Sequence, residues 1–135
     1  MSEILLFDNE FVSVRYLEDK KMIYHTIHKP LPTSILKEAL NIGTEALKQY
    51  GIHKWLSDDS CMGPISPEFM EYSHDVWQPR TIAAGWKYWA IVVPQELAAA
   101  GSLTPAIEKL YELGLRMMVF TDLNDAFRWL ESMDD

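Results

Sequence analysis

Residues 58–61 read Asp-Asp-Ser-Cys, so two carboxylates, a hydroxyl and a thiol occupy four consecutive positions. Two carboxylates divide acid and base work only when their surroundings differ and a substrate fits between them, which adjacency alone does not provide for Asp58 and Asp59. A solvated loop is the plainer expectation for that pair. Cys61 and His74 are the residue types of a nucleophile and its base, yet the sequence marks no orienting residue and no oxyanion donors. Cys61 is more simply expected to be a small buried hydrophobe. As the one cysteine it has no internal disulfide partner, which fits a reducing compartment. His25 and His28 stand three apart in a stretch that reads as strand, so they face opposite sides, while His53 and His74 lack ligand-spaced Cys, Asp or Glu. No metal site and no cofactor are expected. The glycines form neither a phosphate-binding loop nor a dinucleotide fingerprint.

The five tryptophans bring a different chemistry. Trp55 and Trp89 read as sheet-packing residues. Trp77 and Trp86 flank the corner at residues 79–85 and, with Met70, are placed to line an apolar pocket or a subunit contact, core closure being the simpler role. Arg80 would orient an acidic headgroup or a partner's carboxylate through its forked guanidinium. Pro79 removes a backbone donor and must kink or restart its helix, so residues 77–80 are expected to form a shaped corner of the functional face.

Charge narrows the partners. Twenty acidic against twelve basic residues give a net charge of -8, which repels nucleic-acid phosphates. Lys20, Lys21 and Lys29 are too few for a basic stripe and read as solubilising charge at strand ends. Apolar runs at residues 89–94 and 97–100 fall far short of the roughly 20 residues that span a bilayer. The opening Met1-Ser2-Glu3 lacks a positive segment before an apolar stretch, so no secretory signal is expected and the cytoplasm is the default location.

The elements that must position these residues follow from periodicity. Residues 4–7, 11–17 and 22–27 read as strands with short polar separators, hence a meander, with Val12, Val14 and Tyr16 on one face and Ser13 and Arg15 on the other. Leu36, Ala39, Leu40, Gly43, Leu47 and Tyr50 form a helical stripe that begins near Thr33 or Ser34 and stops at Gly51. Trp55 and Leu56 lie in a short buried strand ending at Ser57 and Asp58. Ser66, Pro67 and Glu68 then start a helix that is expected to turn Phe69, Ser73, Val76, Trp77 and the stem of Arg80 inward. Residues 86–93 read as an interior strand, and a helix from Thr104 presents Ile107 and Leu110 before Gly114. A strand at 115–120 follows. Asp122 caps a last helix whose Leu123, Ala126, Phe127 and Leu130 face the core, with Trp129 at its margin. The series β-β-β-α-β-α-β-α-β-α predicts one domain over residues 1–135: an α/β mixed sheet with antiparallel N-terminal strands and right-handed βαβ crossovers. A flavodoxin-like sheet is the rival, and it needs the first strand central and parallel.

This pattern, with the phrases at residues 7–12, 55–58, 77–80, 90–94 and 120–130, resembles STAS-like domains, related to anti-sigma-factor antagonists and to CRAL-TRIO lipid-binding modules. The resemblance covers nearly the full chain and implies a STAS-like fold and a bacterial origin. Antagonist domains carry an Asp-Ser-Ser-Gly phosphorylation motif. Against it, Asp59 matches the aspartate and Ser60 the first serine, but Cys61 stands at the acceptor position and Met62 at the glycine. The phosphorylation switch is therefore expected to be missing. Two functions follow as expectations. The first is a non-enzymatic protein-interaction or regulatory module, with a protein partner or a homodimer, using Asp58, Asp59, Ser60, Cys61, Trp77 and Arg80. The alternative is a small apolar-ligand or lipid-binding module with Met70, Trp77 and Trp86 lining its pocket.

Overall fold

The computed structural model describes residues 3–134. Met1 and Ser2, which bear on the secretory-signal reading, lie outside the described residues. Strands β1 (Glu3–Asp8), β2 (Val12–Leu17) and β3 (Met22–Ile27) form the expected antiparallel meander. Asn9 closes its first turn, its side-chain oxygen accepting from the amides of Phe11 and Val12. Strands β4 (Lys54–Asp58), β5 (Tyr88–Val92) and β6 (Arg116–Phe120) then add in parallel, each beside its predecessor. The six strands lie in sequence order, with β1 at an edge and antiparallel to β2, which excludes the flavodoxin-like arrangement.

Sequential order has a consequence for the helices. Crossovers of one hand that always step the same way deliver every helix to the same face. Helix α1 (Thr33–Tyr50), helix α2 (Pro67–Tyr72) with its continuation, and helix α5 (Thr104–Glu112) accordingly share one core with Val12, Val14, Ile23, Trp55, Trp89 and Met117. Among the described residues only α6 (Leu123–Ser132), following β6, covers the opposite face, packing Ala126 and Leu130 against Leu56, Ala90 and Val92. The caps match their local signals. Ser66 accepts from the Phe69 amide, Asp122 accepts from the Asp125 amide, and Gly51 ends α1 in the left-handed region at φ 63°. A short α4 (Gln95–Ala99) was not expected from the sequence.

Helix α2 does not continue regularly. It passes into a π-helical turn, Ser73–Trp77, before α3 (Gln78–Ala83), and the Gln78 amide donates to the Ser73 carbonyl five residues back. Pro79, in the first turn of α3, supplies no amide, so the wider turn immediately precedes the point where a helical bond would be lost. An inserted residue rotates the downstream helix by about 100°. That rotation corrects two inward positions: Phe69, Ser73 and Trp77 are buried, but Val76 is 41% exposed and Arg80 lies on the outside. Among the described residues no helix is long and apolar enough to cross a membrane.

Candidate functional site

On the helix-covered face, register places side chains in rows across the strands. One row runs Ile23, Trp55, Trp89 and Met117, and the next runs His25, Ser57, Ile91 and Val119. The first row is filled by aromatic packing. Trp55 and Trp77 meet edge to face at 5.2 Å, Trp77 and Trp89 at 5.6 Å, and Trp86 lies 4.9 Å from Trp89. Gly43 of α1 makes this possible, because a Cβ there would stand 2.3 Å from the Trp55 ring.

A buried indole needs an acceptor for its N–H. Four of them find one: Trp77 donates to Thr44 Oγ1 at 3.1 Å, Trp86 to the Tyr88 carbonyl at 3.1 Å, Trp55 to His25 Nδ1 at 2.9 Å, and Trp89 to Ser57 Oγ at 2.9 Å. The last two carry the first row's polarity into the second. Since an indole only donates, His25 Nδ1 must accept, leaving the ring hydrogen on Nε2. Nε2 faces Asp59 Oδ1 at 2.8 Å and donates to it. Both ring nitrogens of His25 are thus committed, and the imidazole acts as an arm that orients the carboxylate. Asp59 itself extends β4, its amide donating to the Val92 carbonyl at 2.9 Å.

The second row does not fill its space. Above Ser57 lies a cavity of about 120 Å³, floored by His25, Ser57 and Ile91 and roofed by Phe69, Ser73 and Trp77. Leu36 and Leu40 of α1 close one flank; Leu103 and Ala106, at the start of α5, close the other. Exposed Ile65, Met70 and His74 surround its mouth. The polar side chains of the lining are His25, Ser57 and Asp59 on the sheet side and Ser73, His74 and Gln78 on the helix side, where Ser73 accepts from Gln78 Nε2 at 3.0 Å. A cavity near 150 Å³ in an apolar core accommodates a benzene ring, whereas drug-sized ligands occupy roughly 300–1,000 Å³.

The anticipated site residues separate in space. Met70, Trp77 and Asp59 border the cavity, but Trp86 is fully buried behind Trp77 and Trp89 and does not reach it. Arg80 turns away, donating to Asn41 Oδ1 and, at 3.0 Å, to the Tyr72 hydroxyl. Asp58, the last residue of β4, accepts from the Ser60 hydroxyl at 2.7 Å in a local turn. Cys61 is exposed, correcting the expectation of a buried hydrophobe, because the loop after β4 carries it outside the core. Cys61 does not line the cavity at which His74 stands, and no hydrogen bond joins them. Among the described residues no group of three or more His, Cys, Asp or Glu is arranged to hold a metal ion.

His25 and Ser57 were missed as site residues, though a signal existed. Each interrupts an inward-facing apolar alternation, Ile23-His25-Ile27 on one strand and Trp55-Ser57 on the next. The fold defines a mixed α/β domain with an antiparallel N-terminal region and parallel βαβ crossovers, a generic Rossmann-like architecture. Compared with protein-family models, with curated proteins and with solved structures, the chain finds no match in any of the three.

Proposed function

We propose that this protein is a binding module for a small, largely apolar ligand, held in the cavity beneath the π-helical turn. The cavity itself carries the reading. A mouth bordered by exposed Ile65, Met70 and His74 leads to about 120 Å³ of mostly apolar space that no side chain occupies. Selection for stability alone would fill it with a larger side chain at Ser57. The volume favours a single ring or a short chain over a whole lipid, which narrows the lipid-binding alternative. Nothing in the reading requires turnover, because His25 spends one nitrogen accepting from Trp55 and the other donating to Asp59.

Toluene is a suitable probe. Titrated into the ¹⁵N-labelled protein, it is expected to shift the Trp77 and Trp89 indole N–H resonances and the amides of the π-helical turn, leaving α6 unchanged. Shifts spread over α6, or none up to the solubility of toluene, reject the proposal. A protein-interaction or homodimer surface around Asp58, Asp59, Ser60 and Cys61 is a second proposal, favoured by the exposure of Ser60 and Cys61. Sedimentation of the wild type and of Ser60→Arg tests its homodimer form, which fails if the wild type is monomeric at every concentration. STAS-like membership and a cytoplasmic location belong to the proposal as well, supported by the element order, the sequence phrases and the acidic net charge of -8.

A further inference from the structure

We infer that the ligand carries one uncharged hydroxyl, seated between Ser57 and Asp59; this rests on the cavity being a ligand site. Three polar groups of the sheet floor bear on the choice, and their hydrogen bonds decide it. His25 is closed to a ligand, one nitrogen accepting from Trp55 and the other donating to Asp59. Ser57 is fully buried and accepts from the Trp89 indole at 2.9 Å, a bond that uses an oxygen lone pair and leaves the hydroxyl hydrogen to be given. Asp59 contributes carboxylate oxygens, which accept.

A group beside both must therefore accept from one side and donate to the other. A hydroxyl does so with a single atom. Ethers, ketones and halides only accept, an ammonium only donates, and a carboxylate accepts while repelling Asp59. Alternate residues along a strand lie about 6.6 Å apart at Cα, and two oxygens bonded to one hydroxyl lie up to about 5.5 Å apart. His25 pairs in register with Ser57 and its Nε2 lies 2.8 Å from Asp59 Oδ1, so one imidazole ties the carboxylate to the row that holds Ser57. The ligand's apolar part then extends past Ile91 toward Phe69 and Met70, where no polar partner is needed. A phenol or a short-chain alcohol meets all these conditions.

Phenol, toluene and benzoate have similar rings and separate the alternatives. Their affinities are read from the Trp89 and Trp77 indole N–H resonances in the wild type, in Ser57→Ala and in Asp59→Asn. The amide spectra of the variants report whether each remains folded. Phenol is expected to bind at least about tenfold more tightly than toluene in the wild type, with that advantage reduced in each folded variant. Because the wild-type ranking needs no substitution, it stands even if a variant fails to fold. Equal binding of phenol and toluene overturns the hydroxyl assignment while leaving the small-ligand reading intact. Preference for benzoate overturns it too. If none of the three binds, both the assignment and the reading beneath it fail.

Discussion

Two neighbouring rows on the same sheet face have opposite characters. Across β3, β4 and β5, the row with Ile23, Trp55 and Trp89 is filled by aromatic packing, and the row with His25, Ser57 and Ile91, two residues further along each strand, floors a cavity that Trp89 borders from the side. Strands, covering helices and burial are shared between them; the side chains differ. On β4 the step from Trp55 to Ser57 removes most of a large aromatic volume, and the helices, spaced by the tryptophans below, do not close over the gap. The packed row also equips the open one. Its indoles fix the His25 tautomer and hold the Ser57 oxygen, so the polarity of the cavity floor is set from beneath. A rigid aromatic layer under a small open one is a means of keeping a pocket formed without a ligand.

The comparison breaks most severely at Trp55. Replacing it with alanine removes the spacer, three ring contacts and the donor that orients His25, and about 3–5 kcal/mol of stability should be lost in urea unfolding. A loss below about 1 kcal/mol would show that the packed row does not support the face. Next in size is Gly43→Ala. Its new methyl would meet the Trp55 ring at 2.3 Å, so overpacking of about 1–3 kcal/mol should outweigh the roughly 1 kcal/mol that alanine contributes to a helix. Stabilisation by this substitution would mean that the tryptophan layer can yield.

Ser57→Val sharpens the contrast by partly filling the open row. The variant loses the acceptor for Trp89, at about 1–3 kcal/mol, but gains apolar burial of similar size, so its net stability should stay within about 1.5 kcal/mol of the wild type while toluene-induced shifts disappear. Retained toluene shifts would place the binding volume elsewhere. The smallest effect lies outside both rows, at Tyr16, which stacks on Tyr50 at 4.1 Å. Burial first, then the Glu18 carboxylate and Tyr50, hold its hydroxyl above the ordinary value of 10.0. Folding therefore favours the neutral phenol. That contribution is complete below the unfolded value and is lost as pH rises through the higher folded one. Melting temperatures from about pH 9 to 12 should fall more steeply for the wild type than for Tyr16→Phe. Parallel curves would remove Tyr16 from the alkaline transition.

Much of the fold was legible because its signals are local. The alternation in β2, the Ser66-Pro67-Glu68 start of α2, the Asp122 cap and the Gly51 stop each lie within a few residues of the feature they determine. The site was less legible. Residue type marks Met70, Trp77 and Asp59 as candidates, and for Trp86 it leaves core closure, the simpler role, beside a place at a pocket; the structure buries Trp86 in the core. A regular helix period turns Val76 inward, and the π-helical turn, which is not regular, leaves it exposed.

The sequence by itself determined the strands, the Gly51, Ser66 and Asp122 helix ends, and an alternation of strands and helices demanding parallel crossovers, since propensity, capping and periodicity act over a turn or two of chain; α4 and the π-helical turn came only with the structure. Only the tertiary structure decided that His25 receives the hydrogen of Trp55, 30 residues away, and Ser57 that of Trp89, 32 residues away. Those pairings depend on the register of adjoining parallel strands. The cavity depends further on the distance at which tryptophans prop the covering helices above a serine, a sum of volumes from segments spread from β3 to β6 that no single segment encodes.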